Sequence, residues 1–504
     1  MSNLIELPRR NRDDGQGHVL TPRYSDDYLA LELIRQHGAE IRWVGDLNEF
    51  YVCAGGIWRP DKTRRAWALA RGICRSAAAE AATDEDSSIK QRAQRLASAQ
   101  TRAAVASLAS DDTRIVITSD LFDSDPLMLG VPSGAVDLRT GELLAPDPTL
   151  LISKSCAVTP AAAGTPCPFW ERFLASTFPA SDSTAGGDRK LIDFLQRWFG
   201  SHLTGLTRDQ RFLFLYGTGR NGKGTLLKTI GEILGAYAVE LPSEALTLRN
   251  FEPHRAELAV LRGARMITAN EIPRNAQWNQ SRLTQITGGD QLTANEMRKN
   301  PITFPVVGKL NVVGNFKPRF ADVNAAIRER LLLVNFHVKF VHRNDGDPAI
   351  EGNSTVAERD DNLADRLREE RPAILRWLID GAVIWQREGL QPPDSVLLDS
   401  SEYLDEQAET ELWIADCCEA RSLVADDGDV VGDLLISFNS WRSAREQRAA
   451  SINVFNGLLD SAELKRLKRN RGKVVLGLFL NSEERSRVDA IKAEKKRREQ
   501  GRDA

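Results

Sequence analysis

The chain has 504 residues, 42% of them hydrophobic and 27% charged, with a net charge of −3. That is globular composition with room for about three or four domains, and it excludes disordered, collagen-like and polycationic classes, so contact with nucleic acid has to come from local basic patches. Apolar runs such as Val474–Leu480 are too short to cross a bilayer and the start does not resemble a signal peptide, so a cytoplasmic protein without a membrane partner is expected.

Residues 1–25, with Arg9, Arg10 and Arg12, lack apolar periodicity and read as a flexible arm. From Asp26 helical spacing begins, with Tyr28, Leu29, Leu31, Leu33 and Ile34 on one stripe. Two short strands are expected at Ile41–Val44 and Phe50–Cys53, then helix through the Ala-, Arg- and Glu-rich residues 62–110. Pro132-Ser133-Gly134 reads as a turn, and Leu138–Leu143 reads as a hairpin. Together these predict a mainly helical, partly mixed N-terminal domain over 26–158. Thr159–Pro168, rich in Ala, Pro and Gly, reads as a linker; with helices at Phe169–Leu174 and Leu191–Leu203 it forms a linker and helical collar over 159–205.

Residues 206–340 carry an α/β pattern. Phe212–Tyr216 is a continuous apolar run, as in a strand buried on both faces, and Leu226, Leu227, Ile230, Ile233 and Leu234 follow at helical spacing. Arg265–Thr268 and Leu310–Val313 predict two more central strands. A helical extension over 341–400 contains a helix at 362–388, with Leu367, Ile374, Leu375 and Leu378 in its buried stripe. Residues 401–482 alternate helical patterns and close on one apolar strand, Val474–Leu480. A charged tail, helical or disordered, fills 483–504.

Gly217-Thr218-Gly219-Arg220-Asn221-Gly222-Lys223 matches G-x-x-x-x-G-K between a predicted strand and a predicted helix. Glycines there let the backbone wrap around phosphates, and the N–H groups of the loop and helix start bind the negative charge. Lys223 then reaches the β- and γ-phosphates of ATP. Gly224 stands where Ser or Thr is usual, so Thr225, one residue on, is assigned as the Mg2+ ligand. Hydrolysis also needs a group to orient water. Glu271, at the end of an apolar strand, fits that need, and Asn315 at the tip of a third strand can bond both water and the γ-phosphate. Arg328 and Arg330 lie beyond the core strands, where an arginine can reach a neighbouring subunit's ATP; Arg330 is favoured, and ordinary salt bridges are the alternative. The six cysteines show no C-x-x-C spacing and the six histidines are dispersed, so buried thiols are expected and neither disulfides nor a zinc site.

With these residues, Ile286-Thr287-Gly288-Gly289-Asp290, Asn315-x-Lys317-Pro318 and the arginine segment before Phe336, the chain resembles the superfamily 3 helicases. The likeness is to the phage and plasmid primase–helicases related to the poxvirus primase–helicase. It extends upstream through Pro132–Gly141, similar to the domain that precedes the ATPase in that family. The resemblance implies a multidomain α/β protein with a P-loop, AAA+-like ATPase core. It also implies a homo-oligomeric ring, a hexamer, that draws single-stranded DNA through its centre at forked DNA during replication of a mobile element. Thr284 and Asn295 stand where the family often carries basic residues; Arg298 and Lys299 follow and are either a DNA-contacting hairpin tip in the pore or a solvated turn. Only residues 1–25 precede the upstream domain, so a helicase with a separate primase as partner is expected. The last folded section resembles a winged helix. Lys465, Arg466, Lys468, Arg469, Arg471 and Lys473 put six positive charges into ten residues, read as a basic helix end and wing against duplex phosphates or as a solvated face. The competing function is an ATP-binding DNA-binding initiator or scaffold without processive unwinding.

Overall fold

The computed structural model describes residues 21–180, 186–248, 255–273, 276–295, 301–320, 323–341, 356–420, 427–445, 447–462, 464–470 and 472–500. The chain divides into two compact units, Met1–Thr159 and Pro160–Ala504.

The first unit begins with α1 (Asp26–His37), capped by Ser25, whose hydroxyl accepts from the Tyr28 N–H, with Asp26 and Asp27 favourably placed against the helix dipole. Strands β1 (Ile41–Val44), β2 (Glu49–Ala54) and β3 (Ile57–Pro60) follow, then helices α2 (Arg65–Thr83), α3 (Ser87–Leu96) and α4 (Ala99–Ala109) and strand β4 (Val116–Ile117). These strands form one sheet in the order β3-β2-β1-β4. A second sheet, β5-β6-β7, is built from β5 (Met128–Val131), β6 (Gly134–Asp137) and β7 (Glu142–Leu144). The unit is therefore mixed, its helices α1–α4 accompanied by two sheets: the strands around Ile57 and Met128 are only four residues long and show no alternation to stand out in sequence, yet they pair in register. Its core joins Leu29 and Leu33 of α1 to Ile41, Ala70, Ile73 and Val105.

The second unit starts with α5 (Pro168–Thr177) and α6 (Arg189–Ser201), then β8 (Phe212–Tyr216), α7 (Lys223–Leu234), β9 (Ala238–Glu240) and β10 (Met266–Ala269). Next come α8 (Gln280–Gly288), the antiparallel pair β11 (Gln291–Asn295) and β12 (Pro301–Pro305), β13 (Lys309–Gly314), α9 (Ala325–Arg330) and β14 (Leu331–Asn335). The central sheet is wholly parallel in the order β14-β8-β13-β10-β9, with Leu310 and Leu331 both in register with Phe212. Being covered on both faces, Phe212, Leu213, Phe214 and Leu215 are all fully buried. Asn311 anchors the sheet to α6: it accepts from Trp198 Nε1 at 2.8 Å and its amide meets His202 Nε2 at 2.9 Å. Burial, then the charge of Lys309, holds His202 down to about 3, so the ring is neutral. The six cysteines are unpaired, and four are buried.

A pair of short parallel strands, β15 (Lys339–Val341) and β16 (Val356–Glu358), leads to α10 (Leu363–Glu369) and α11 (Arg371–Glu388). The helix expected over 362–388 is thus two helices meeting at Glu370, whose carboxylate accepts the Phe169 and Trp170 N–H groups at the start of α5. The boundary expected at 400 falls inside one helix, α12 (Asp394–Cys417). It is continuous because both ends are buried in different places: Tyr403 and Leu404 pack with the sheet, Trp413 and Cys417 with the C-terminal core.

That C-terminal part contains β17 (Cys418–Ala420), β18 (Gly428–Val430), α13 (Val431–Ser443), α14 (Ile452–Ser461), β19 (Arg466–Arg469), β20 (Gly472–Leu476), β21 (Leu478–Leu480) and α15 (Ser482–Gln500). Its sheet runs β18-β20-β19, with β17 paired to β21. The expected single strand Val474–Leu480 is two strands broken at Gly477, which has φ +75, and the expected basic helix end is the strand β19. The tail is helical and buries Val488. No described helix is long and apolar enough to cross a membrane.

Candidate functional site

β8 ends at Tyr216 and α7 begins at Lys223, and the loop between them turns on two left-handed glycines, Gly219 (φ +101) and Gly222 (φ +88). Gly217 answers to a different demand: a Cβ there would lie 2.0 Å from the Asn221 amide nitrogen. That amide donates to the Phe336 carbonyl at 3.2 Å, and the Phe340 N–H donates to the Arg220 carbonyl at 2.7 Å. The loop is therefore tied to the chain that follows β14, which fixes its curvature before any ligand arrives.

Lys223 is 5% exposed. Its ammonium donates to the Gly217 carbonyl at 2.6 Å, to Asn221 Oδ1 at 3.0 Å and to Asn315 Oδ1 at 3.2 Å. All three acceptors are neutral, and burial lowers the lysine to about 8. A cation held out of water without a counter-charge favours an anion beside it.

The loop borders an open cleft of about 980 Å³ that Glu271 and Asn315 also line, so the structure brings together Lys223 at the start of α7 with Glu271 and Asn315 just past the ends of β10 and β13. Glu271 has φ +57, uncommon for a residue with a side chain and of the kind found where backbone strain holds a functional group. Gly219, Arg220, Asn221, Gly222, Gly224 and Thr225 line the same cleft. A Cβ on Gly224 would meet nothing, so the missing hydroxyl there is not forced by packing. Among the described residues no cluster of His, Cys, Asp and Glu could hold a metal unaided. Mg2+ commonly keeps waters and phosphate oxygens as ligands, which the Thr225 hydroxyl and a bound triphosphate could complete.

Asn221, already placed in the phosphate loop by the sequence, braces both Lys223 and Phe336 with its side chain. Sequence reasoning passed over one residue here. Glu240 lines the cleft from the end of β9 and accepts from the Asn270 amide at 2.7 Å; an acid closing a three-residue strand gives almost no periodic signal.

Arg328 and Arg330 are not in this cleft. Arg330 precedes β14 and so stands at the opposite end of a five-residue strand, which spans roughly 16 Å. It donates to the Ala326 carbonyl at 3.0 Å and to Gln210 Oε1 at 3.4 Å. Arg328 pairs with Asp405 of α12 at 2.7 Å. The tip residues Arg298 and Lys299 lie outside the described residues, as does Arg471; the strands that flank the former, β11 and β12, form the expected hairpin. Lys465, Lys468 and Lys473 are exposed on or beside the β19–β20 hairpin, whereas Arg466 is bound to Asn456 and Asp460 of α14.

Residues 30–179 match the family model described as D5 N terminal like, and residues 215–329 match a family of unknown function, DUF5906. The first match supports a primase–helicase-like family. It extends past the boundary expected at 158 and takes in α5. No curated protein matches the chain. Among solved structures, "The apo structure of NrS-1 C terminal region" is similar at 10% identity and TM-score 0.43, covering 91% of this chain and 100% of that one. "The A form apo structure of NrS-1 C terminal region-CTR" is similar at 12% identity and TM-score 0.41, covering 90% and 100%.

Proposed function

We propose that this chain is an ATP-dependent DNA helicase of the superfamily 3 type. It acts in the cytoplasm in replication of a phage, plasmid or other mobile element, and translocates on single-stranded DNA as a homo-oligomeric ring. The carrying observation is the buried Lys223 ammonium, held only by neutral acceptors, on one cleft with Glu271 and Asn315. The strand order supports an AAA+-like P-loop core, since β13, bearing Asn315 at its tip, lies between the loop strand β8 and the Glu271 strand β10. The D5 match supports the replicative setting.

In this reading the loop N–H groups and Lys223 hold the phosphates of ATP; Thr225 would hold Mg2+, which would spread the negative charge. Glu271 orients the attacking water and Asn315 bonds water and the γ-phosphate. Arg330, remote from its own subunit's cleft, completes a neighbour's site and stabilises charge there; Arg328 supports the same segment through Asp405. Arg298 and Lys299 grip single-stranded DNA in the pore, and the C-terminal part is a winged helix on duplex DNA at the fork. A separate primase is the expected partner. Gly224, in the place of the usual hydroxyl residue, favours the alternative of an ATP-binding initiator that does not unwind processively.

The test is ATP turnover by the full chain with and without single-stranded DNA, beside a mass measurement with nucleotide and DNA. DNA-stimulated turnover by a ring-sized oligomer is expected. Undiminished turnover in Lys223→Ala, or a monomer under every condition, overturns the proposal.

A further inference from the structure

The C-terminal part places an uncharged helix face beside a basic hairpin. α13 and α14 follow one another in the chain, share one core through Phe438 and Phe455, and are followed by the β19–β20 hairpin, the element order of the winged-helix reading. α14 turns Phe455, Leu458 and Leu459 into the core, which leaves Asn453 and Gly457 outward, with Ile452 (44% exposed) and Val454 (47%) at its N-terminal turn. The single charged residue of the helix, Asp460, is taken up by Arg466, which also holds Asn456.

Gly457 is out of place in such a helix. Glycine weakens a helix interior, and a Cβ at 457 would meet nothing, so the fold itself has no use for the missing side chain. A close approach by something outside does. On the hairpin, Lys468 stands directly opposite Lys473. Like charges in that position repel, and neither pairs with a carboxylate among the described residues; a phosphate relieves both.

We propose that α14 reads A·T base pairs in the major groove of duplex DNA, with Lys468, Lys473 and Lys465 on the flanking phosphates. The inference rests on the winged-helix reading above and goes beyond it by naming the bases. The second helix of a helix-turn-helix pair presents its N-terminal residues to base edges. An asparagine there matches the N6 and N7 atoms of adenine, and aliphatic side chains meet the thymine methyl. Asn453, Ile452 and Val454 offer that set, with none of the Arg, Lys, Asp or Glu side chains that select G·C pairs. Gly457 lets the helix lie deep in the groove.

The experiment is anisotropy of the full chain with labelled A·T-rich and G·C-rich duplexes of equal length, an A·T duplex with deoxyuridine in place of thymidine, and single-stranded DNA, over a salt series. The A·T duplex should bind about tenfold or more tighter than the G·C duplex, and deoxyuridine or Asn453→Ala should each erode that preference. Gly457→Leu should keep or raise the melting temperature and still weaken the A·T complex. Lys468→Ala and Lys473→Ala should weaken both duplexes alike, each lowering the salt slope by about 0.9. Equal affinity for the two duplexes, or a preference untouched by both deoxyuridine and Asn453→Ala, overturns the inference while leaving duplex binding in place. Absence of duplex binding, or preference for the single strand by the C-terminal lysines, overturns the winged-helix reading beneath it.

Discussion

Replacing Lys223 by methionine separates what the lysine costs the fold from what it does for a ligand. The buried ammonium is pushed from 10.5 to about 8, which corresponds to roughly 3 kcal/mol of penalty on the charged form. The folded value lies below the unfolded one, so between about pH 8 and 10.5 the unfolded chain holds the extra proton and stability rises with pH. Below pH 8 the whole penalty is present. Methionine removes it but strips a donor from Gly217, Asn221 and Asn315, at about 1 kcal/mol for each bond lost. The two effects nearly cancel at pH 7, so Lys223→Met should melt close to the parent and lose the rise above pH 8. Its nucleotide response should vanish, whereas the parent gains about 2.7 kcal/mol at a ligand concentration one hundred times Kd. Triphosphate binding also restores the ammonium, so calorimetry near pH 8 in two buffers of different ionisation enthalpy should report uptake of about half a proton. Wild-type ATP affinity in Lys223→Met, or a binding enthalpy blind to the buffer, refutes the reasoning.

Glu271→Gln should keep ATP binding and lose hydrolysis by about a hundredfold or more, since only water activation is removed; equal loss of both, read by binding and turnover assays, argues against its role. Arg330→Ala should be inactive alone and regain turnover when mixed with Lys223→Ala, because each variant supplies what the other lacks. Arg328→Ala removes a half-exposed pair with Asp405 and should shift stability by about 1 kcal/mol or less in thermal melts. Asn311→Leu leaves Trp198 Nε1 and His202 Nε2 without their partner and should destabilise the second unit by about 2 kcal/mol or more. His202 is held neutral down to about 3, so the unfolded chain gains the proton first and stability should fall as pH drops from 6.5 toward 3; His202→Phe should flatten that slope in acid melts.

The central strand was legible because Phe212–Tyr216 is an unbroken apolar run, and a strand buried on both faces requires one. Lys223 was legible from its glycine-rich motif, and Glu271 and Asn315 as strand-end residues, since parallel strands deliver their C-terminal ends to one edge of the sheet. The polar contact of Trp198, Asn311 and His202 was not, because it joins residues more than a hundred positions apart that each look ordinary alone. Nor was the continuity of α12 across the boundary expected at 400: its buried residues serve two cores in succession, Tyr403 in one and Trp413 in the other, so no single stripe marks one helix. The β19 strand was hidden by charge, as alternation of Arg466, Leu467, Lys468 and Arg469 exposes both faces. A hairpin that leaves the core does not need the apolar periodicity by which strands are recognised.

Strand separation on a forked duplex by the full chain tests the central claim most directly. The account predicts unwinding that requires hydrolysable ATP and Mg2+, disappears in Lys223→Met and Glu271→Gln, and scales with the oligomeric fraction. A fork that stays paired while the protein binds both ATP and DNA would contradict it and leave an initiator in place of a motor.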